Sequence, residues 1–300
     1  MKIAVTGGAG FIGSHLADSL VAEGHEALVI DDLSSGSKDN LNPRAAFVRK
    51  DIRTDVSRHL KGCDAVFHLA ADPDVRSSAE NPRKSLDQNV LATFSLLESC
   101  RKAGVKRFVF ASTSTVYGEA AVIPTPETHP CMPISNYGAS KLSCEAYVSS
   151  YSHCYGIKGT SLRLANIFGE RSRHGVMFDF YNKLRRDPSR LEVLGDGKQD
   201  KSYLHVSDCV SAFLAAWKGQ KREYDVYNVG SSGRLKVDDL ARLMCKTLGL
   251  NPKLETTGTS RGWAGDVRLM QLDTKKLEAL GWKEEVPFGE GLRRYLEWLG

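Results

Sequence analysis

Apolar positions along this chain follow two alternating rhythms. Residues 2–6 (Lys-Ile-Ala-Val-Thr) form a short β-rich run, and from residue 12 the spacing becomes helical, with Ile12, Leu16 and Leu20 on one stripe. This predicts a strand, then a helix over 12–23 that closes at Gly24, where glycine can take the left-handed conformation past a helix end. The alternation continues. Strands are predicted at 27–30, 46–49, 65–69 and 107–111, with a helix over about 88–103 between the last two. A strand at about 159–164 follows a helix that begins at Tyr137. Strands separated by helices predict an α/β fold built on a doubly wound parallel sheet. After residue 164 the rhythm breaks: 166–197 is rich in Arg, Gly and Asp, and then come a helix over 208–218, a strand at 226–229 and a helix over 236–248. No repeat, low-complexity tract or linker divides the chain. The expected units are 1–166 and a smaller C-terminal α/β unit at 167–300, laid closely on the first, with the segment about 201–230 free to cross back.

Composition narrows the function. Three hundred residues can bury a sizeable core, and no apolar run approaches the ~18 residues of a membrane span. The first residues read as a strand that supplies a glycine loop rather than as a cleaved leader, so the cytoplasm is the expected location. The seven cysteines are scattered without a C-x-x-C pair, which suits reduced small hydrophobes and offers no metal site. The net charge of +5 comes from 41 basic and 36 acidic residues, and the basic clusters at 101–107, 171–174 and 183–186 are short. Such clusters are solvated faces and do not point to nucleic acid, whereas a mildly basic cleft suits a diphosphate-bearing ligand.

The first strand runs directly into Gly7-Gly-Ala-Gly10-Phe-Ile-Gly13, a G-x-x-G-x-x-G spacing. Placed between a strand and an amphipathic helix, these glycines meet the demands of a dinucleotide cradle: a tight turn, close backbone approach to a pyrophosphate, and a helix N-terminus that favours its charge. Asp31 stands 18 residues beyond Gly13 at the end of the second strand. A carboxylate there can accept from adenosine ribose hydroxyls and would repel a 2′-phosphate, which favours NAD over NADP; Asp32 could share or take that role, and both could instead close a turn. Asp51 and Ile52, after the third strand, could reach the adenine edge or form an ordinary strand-end turn.

Tyr137 and Lys141 lie four residues apart on one helical face. Thr113 ends the fifth strand, where ligands of doubly wound sheets bind. A free phenol titrates near ~10, and a neighbouring cation favours its ionised form. Tyr137 can then act as general base toward a substrate hydroxyl, with Lys141 lowering its pKa and Thr113 holding the same oxygen. Tyr147 and Tyr151, further along the helix, read as packing residues.

Together these residues resemble the extended short-chain dehydrogenase/reductase family, and within it the nucleotide-sugar enzymes of the UDP-glucose (galactose) 4-epimerase type. The resemblance runs almost end to end: V-T-G-G-A-G-F-I-G-S-H at 5–15, D-D-L-S-S-G at 31–36, H-L-A-A at 68–71, N-V at 89–90, S-T-S-T-V-Y-G at 112–118, Y-G-A-S-K at 137–141 and L-R-L-A-N at 162–166. The second half adds G-D-G-K-Q at 195–199, H-V-S-D at 205–208, N-V-G at 228–230 and A-G-D at 264–266. The resemblance implies a Rossmann-type NAD-binding domain with a smaller substrate domain, NAD held tightly, and homodimers formed through paired helices of the first half. It implies that Gly7, Gly10, Phe11, Ile12, Gly13, Asp31, Asp32, Asp51, Ile52, Leu69, Ala70, Ala71, Asn89, Tyr137 and Lys141 bind the cofactor. It also implies a UDP-hexose substrate held by Thr113, Asn166, Lys201, Tyr203, Arg261, Asp266 and Met270, and a reaction through a transient 4-keto sugar.

This chain departs from the family pattern at three places. Lys201 followed by Ser202 stands where an arginine is usual, so a bidentate phosphate fork becomes a point charge. Trp263 occupies the position three before Asp266 where arginine is frequent, and Arg261 could supply that cation instead. Asp72-Pro73-Asp74 lacks the lysine that some members place near the cofactor. Related dehydratases carry acidic residues directly after the threonine of the fifth strand; here Ser114 and Thr115 follow, which leaves elimination without its acid–base pair and favours epimerisation.

Overall fold

The computed structural model describes residues 1–300 apart from Arg261 and Ala264. Its first half alternates strands and helices: β1 (Lys2–Thr6), α1 (Phe11–Ala22), β2 (Glu26–Asp31), β3 (Ala46–Arg49), α2 (Ser57–Leu60), β4 (Ala65–His68), α3 (Pro82–Ser85), α4 (Ala92–Ala103), β5 (Arg107–Thr113), α5 (Asn136–Tyr155) and β6 (Lys158–Leu164). The remainder comprises β7 (Asn166–Phe168), α6 (Val176–Arg186), β8 (Arg190–Val193), β9 (Asp200–Lys201), β10 (Tyr203–His205), α7 (Val206–Gly219), β11 (Tyr224–Val229), β12 (Leu235–Lys236), α8 (Val237–Thr247), β13 (Lys253–Thr256), β14 (Leu269–Met270), α9 (Lys275–Glu278) and α10 (Phe288–Leu299). Among these described residues no helix is long and apolar enough to cross a membrane.

Seven parallel strands form one sheet in the order β11-β6-β5-β4-β1-β2-β3. This is the Rossmann-type doubly wound architecture. Alternate residues along each strand face opposite layers, and both faces are covered, as buried parallel strands require. Ile3, Val5, Phe67 and Val109 point to the layer of α1 and α7, where they meet Leu16, Leu20, Phe213 and Trp217. Ala4, Val66, Phe108 and Phe110 point to the layer of α2, α4 and α5, where they meet Leu60, Leu96, Leu97 and Val148. The chain reverses its winding between β1 and β4, so a crevice opens at the carboxyl ends of those two strands. From the second half, β11 lies at the sheet edge beside β6 and α7 packs on α1, while α6, α8 and α10 enclose a separate core around Phe180, Leu240, Met244, Leu292 and Tyr295.

Two local findings differ from the periodicity. The helix expected over about 88–103 is a π-helical turn over Leu86–Leu91 followed by α4, with the short α3 preceding both. The wider turn carries Asn89, which is buried with its amide bonded to neighbouring segments, and π turns of this kind recur at functional sites. Tyr151 is buried as expected and its hydroxyl donates to Glu98 at 2.7 Å, but Tyr147 is 41% exposed beside Phe94.

A buried polar network locks α5 to the sheet. Arg163, on β6, donates to Glu145 at 2.7 Å through Nη2 and to the Tyr117 hydroxyl at 2.9 Å through Nη1; Tyr117 donates in turn to Asn228 on β11 at 2.7 Å. Ser112 on β5 also donates to Glu145. Glu145 lies one turn beyond Lys141, so this network sets where the Tyr137 helix sits against β5. Arg163→Leu would strand the Glu145 carboxylate in the interior and should destabilise the fold by about 3–5 kcal/mol, as removal of one partner from a buried ion pair does. Chemical denaturation reads this directly; a loss below about 1 kcal/mol would show that the network adds little to stability.

Candidate active site

The glycine turn is defined by how closely it packs. Gly7 adopts φ +70°, and a Cβ there would lie 2.6 Å from the Ala70 nitrogen; a Cβ on Gly13 would lie 2.2 Å from the Gly7 oxygen. Side chains at either point would force β1, α1 and the exit of β4 apart. Gly10 is the N-cap of α1 and offers no capping side chain, and the first turn holds no acidic residue. The leading N–H groups, at Phe11, Ile12 and Gly13, therefore open a helix N-terminus suited to an anion. Leu69, Ala70 and Ala71 leave β4 on the other side of the turn, with the Leu69 N–H donating to the Thr6 oxygen at 3.0 Å.

Asp31 ends β2 beside this turn. Its Oδ2 accepts from the Ala9 N–H at 3.0 Å and its Oδ1 from the Leu33 N–H at 2.8 Å, so the carboxylate ties the glycine loop to the strand and retains lone pairs for a ribose hydroxyl. Burial pushes its carboxyl above the ordinary value, and the two N–H donors pull it partly back. Asp32 is less buried and accepts from the Ser34 N–H at 2.8 Å. Asp51 pairs with Arg53 at 2.6 Å, which holds its carboxyl below the usual range, and it accepts from the Arg53 N–H, so its contacts are those of a strand-end turn; Ile52 beside it is buried. An uncapped helix N-terminus with a carboxylate at the neighbouring strand end fits a dinucleotide.

The chemical end lies past β5. Thr113 is its last residue, and the Thr113 hydroxyl accepts from the Thr115 N–H at 3.2 Å and lies 3.1 Å from the Thr115 hydroxyl. Ser135 caps α5 by accepting from the Gly138 N–H at 3.0 Å, which fixes the start of the helix and with it Tyr137. Lys141 is buried one turn later, its ammonium 4.5 Å from the centre of the Phe110 ring. Burial pushes the Tyr137 phenol above its ordinary value; Thr113 pulls it down and the Asp72 charge raises it further. Burial also lowers Lys141 to about 8. In the protein groups alone, desolvation therefore dominates the phenol. Ionising Tyr137 calls for a further positive charge in the site, such as an oxidised nicotinamide ring.

Asn89 sits behind this pair, with Nδ2 donating to Ser140 on α5 at 2.9 Å and Oδ1 accepting from the Asp72 N–H at 2.8 Å. Its contacts are to the scaffold, an arrangement that a two-letter motif does not disclose.

Across from Thr113 a cleft is lined by Ser114, Thr115, Asn166, Lys201, Asp266 and Met270, with Val75, Trp263, Gly265 and Val267 completing it. Lys201 pairs with Asp266 at 2.5 Å and lies 5.3 Å from the centre of the Trp263 ring. Two departures from the family pattern therefore meet: the tryptophan faces the cation of the lysine, an attraction of its own. Asp266 is buried and accepts from the Gly262 N–H at 3.1 Å; Asn166 donates to the Ser202 oxygen at 3.0 Å. Met270 pairs with Lys201 across β14 and β9. Tyr203 lies behind the cleft, its ring 6.0 Å from that of Phe288 in the second core. Arg261 lies outside the described residues. Val75 was not legible as a cleft residue, because only the tertiary fold brings it beside Asn166 and Lys201.

Comparisons with known proteins show the family. The NAD dependent epimerase/dehydratase family matches over residues 3–230. A putative UDP-glucose 4-epimerase of Methanocaldococcus jannaschii is 38% identical over 99% of this chain and 98% of its own length. A crystal structure of a UDP-galactose 4-epimerase is 44% identical, with a TM-score of 0.92, covering 100% of this chain and 98% of the other. The Thermus thermophilus UDP-glucose 4-epimerase in complex with NAD is 34% identical with a TM-score of 0.91, covering 99% and 98%. A dTDP-glucose 4,6-dehydratase of Streptomyces venezuelae is 30% identical, with a TM-score of 0.93, covering 99% and 96%. This chain belongs to the NAD-dependent epimerase/dehydratase family, an enzyme family whose cofactor is NAD.

Proposed function

We propose that the chain is a UDP-glucose 4-epimerase, interconverting UDP-glucose and UDP-galactose through a transient 4-keto sugar. The observation that carries this reading is the cluster of Thr113, Tyr137 and Lys141 at the carboxyl end of β5, followed by the hydroxyls of Ser114 and Thr115 where an eliminating enzyme needs carboxylates. NAD held by the α1 N-terminus and Asp31 would supply the hydride acceptor and donor for the sugar C4. Tyr137 takes the O4 proton and later returns it, Thr113 holds that oxygen, and buried Lys141 adds positive charge beside the phenol. Asn166 lines the part of the cleft facing the nucleotide sugar, and the paired Lys201 and Asp266 the part facing its diphosphate and ribose. The α1 N-terminus and Asp31 hold the dinucleotide.

The same reading has the protein act in the cytoplasm as a homodimer. Leu86, Leu91, Phe94, Tyr147 and Tyr155 are exposed on and beside α4 and α5, an apolar face that supports pairing with a second copy.

Incubation of the NAD-loaded protein with UDP-galactose should give a glucose/galactose equilibrium by NMR; a deoxy-keto sugar would show a dehydratase instead. Tyr137→Phe should keep cofactor and sugar binding while turnover falls ~10²–10⁴-fold, and unchanged turnover would remove Tyr137 from the mechanism. Asp31→Gly should weaken NAD and narrow its advantage over NADP in binding titrations; an unaltered preference would transfer the role to another residue. Met270→Ala should improve turnover of UDP-N-acetylglucosamine and Met270→Tyr should suppress it, with UDP-galactose much less affected. Parallel changes for both sugars would make Met270 a packing residue only.

A further inference from the structure

Just past the exit of β4 the chain buries a carboxylate that the chemistry described so far does not use. Asp72 is 9% exposed. Its backbone is gripped on both sides by one side chain: the Asp72 N–H donates to Asn89 Oδ1 at 2.8 Å, and its oxygen accepts from Asn89 Nδ2 at 3.3 Å. The same Asn89 amide donates to Ser140 on α5, so the position of Asp72 is set relative to the Tyr137 helix. Lys84 occupies one carboxylate oxygen, with Nζ at 3.0 Å from Oδ1. The other, Oδ2, is buried and has no hydrogen-bond partner.

A buried polar atom left unpaired costs about 1–3 kcal/mol, and more where charge is involved, so an orphan oxygen fixed this firmly calls for a donor. Its location identifies the donor's chemistry. The loop after β4 lies between the glycine turn of β1 and Thr113 of β5, and Asp72 is joined through Asn89 to Ser140, whose hydroxyl donates to the Tyr137 backbone oxygen at 2.7 Å. A negative oxygen there disfavours a phosphate. What a nicotinamide dinucleotide and a nucleotide sugar both present at this end is hydroxyl groups. We propose that Asp72 is a ligand-binding residue whose Oδ2 accepts a hydrogen bond from a sugar hydroxyl, either of the nicotinamide-side ribose or of the substrate hexose. The proposal rests on the reading of the site as one for NAD and a nucleotide sugar.

Three variants of the full chain test it: Asp72→Leu removes the acceptor, Asp72→Asn keeps an acceptor oxygen of the same reach, and Lys84→Met removes only the ion pair. Each is assayed for NAD affinity without sugar, for KM and kcat with UDP-galactose, and for Tm. Asp72→Leu should weaken one ligand ~10–100-fold, the range expected for a hydrogen bond to a charged group, with Asp72→Asn restoring most of that loss and Lys84→Met changing neither ligand constant by more than about twofold. A defect in NAD affinity assigns the ribose, and a defect in KM alone assigns the hexose. If Asp72→Leu does not fold, Asp72→Ala is expected to show the same loss. Ligand constants within twofold of the parent in the variants lacking the acceptor, an Asn variant as impaired as they are, or a Lys84→Met variant that reproduces the defect would each overturn the proposal. Absence of UDP-galactose turnover in the parent would instead overturn the substrate reading, and the NAD titration would still decide the cofactor arm.

Discussion

The close approach of three backbone segments, at Gly7, Gly13 and Ala70, is the constraint from which the site follows. The exit of β1, the start of α1 and the exit of β4 meet with no space for a side chain at either glycine. That contact carries the open N-terminus of α1 to the seam where the sheet reverses its winding. It also aligns the loop of Asp72 with Thr113 and Tyr137. Moving these segments apart would shift the anion site and the proton-transfer groups together.

Burial sets the electrostatics of the chemical end. Tyr137 and Lys141 are both almost wholly removed from solvent, and desolvation raises one and lowers the other. Each is thereby biased toward its neutral form, so the charge state of the pair responds to what else occupies the site. Glu145 and Arg163, one turn deeper, are paired and hydrogen-bonded, and they hold the helix rather than taking part in the chemistry. The buried ionic groups thus divide between a locked set that fixes geometry and a set whose charge can change.

The cleft in the second half holds its cation by contacts. Lys201 lacks the planar fork of an arginine, but Trp263 faces its ammonium and Asp266 accepts from it. The lysine is oriented by a ring and a carboxylate instead of by its own geometry.

The strand and helix rhythm of the first half was legible because both periods were clean and glycine marked the ends: β3 matches the expected 46–49, and α1 begins one residue from its expected start. The order of those strands rests on packing handedness that the pattern implies. The α6 stripe of Met177, Phe180, Tyr181 and Leu184 has helical spacing, yet its basic neighbours concealed it. The candidate types and their intervals, Thr113, Tyr137 and Lys141, were legible in the residues alone, since spacing on one strand end and one helix face is local. What the tertiary structure decided was everything that depends on distant segments meeting: the π turn that aims Asn89, the pairing of Lys201 with Trp263 and Asp266, and the burial of Asp72 with one oxygen unpaired. Desolvation is likewise a property of the assembled core, and for that reason the direction in which Tyr137 titrates could not be read from the four-residue spacing to Lys141.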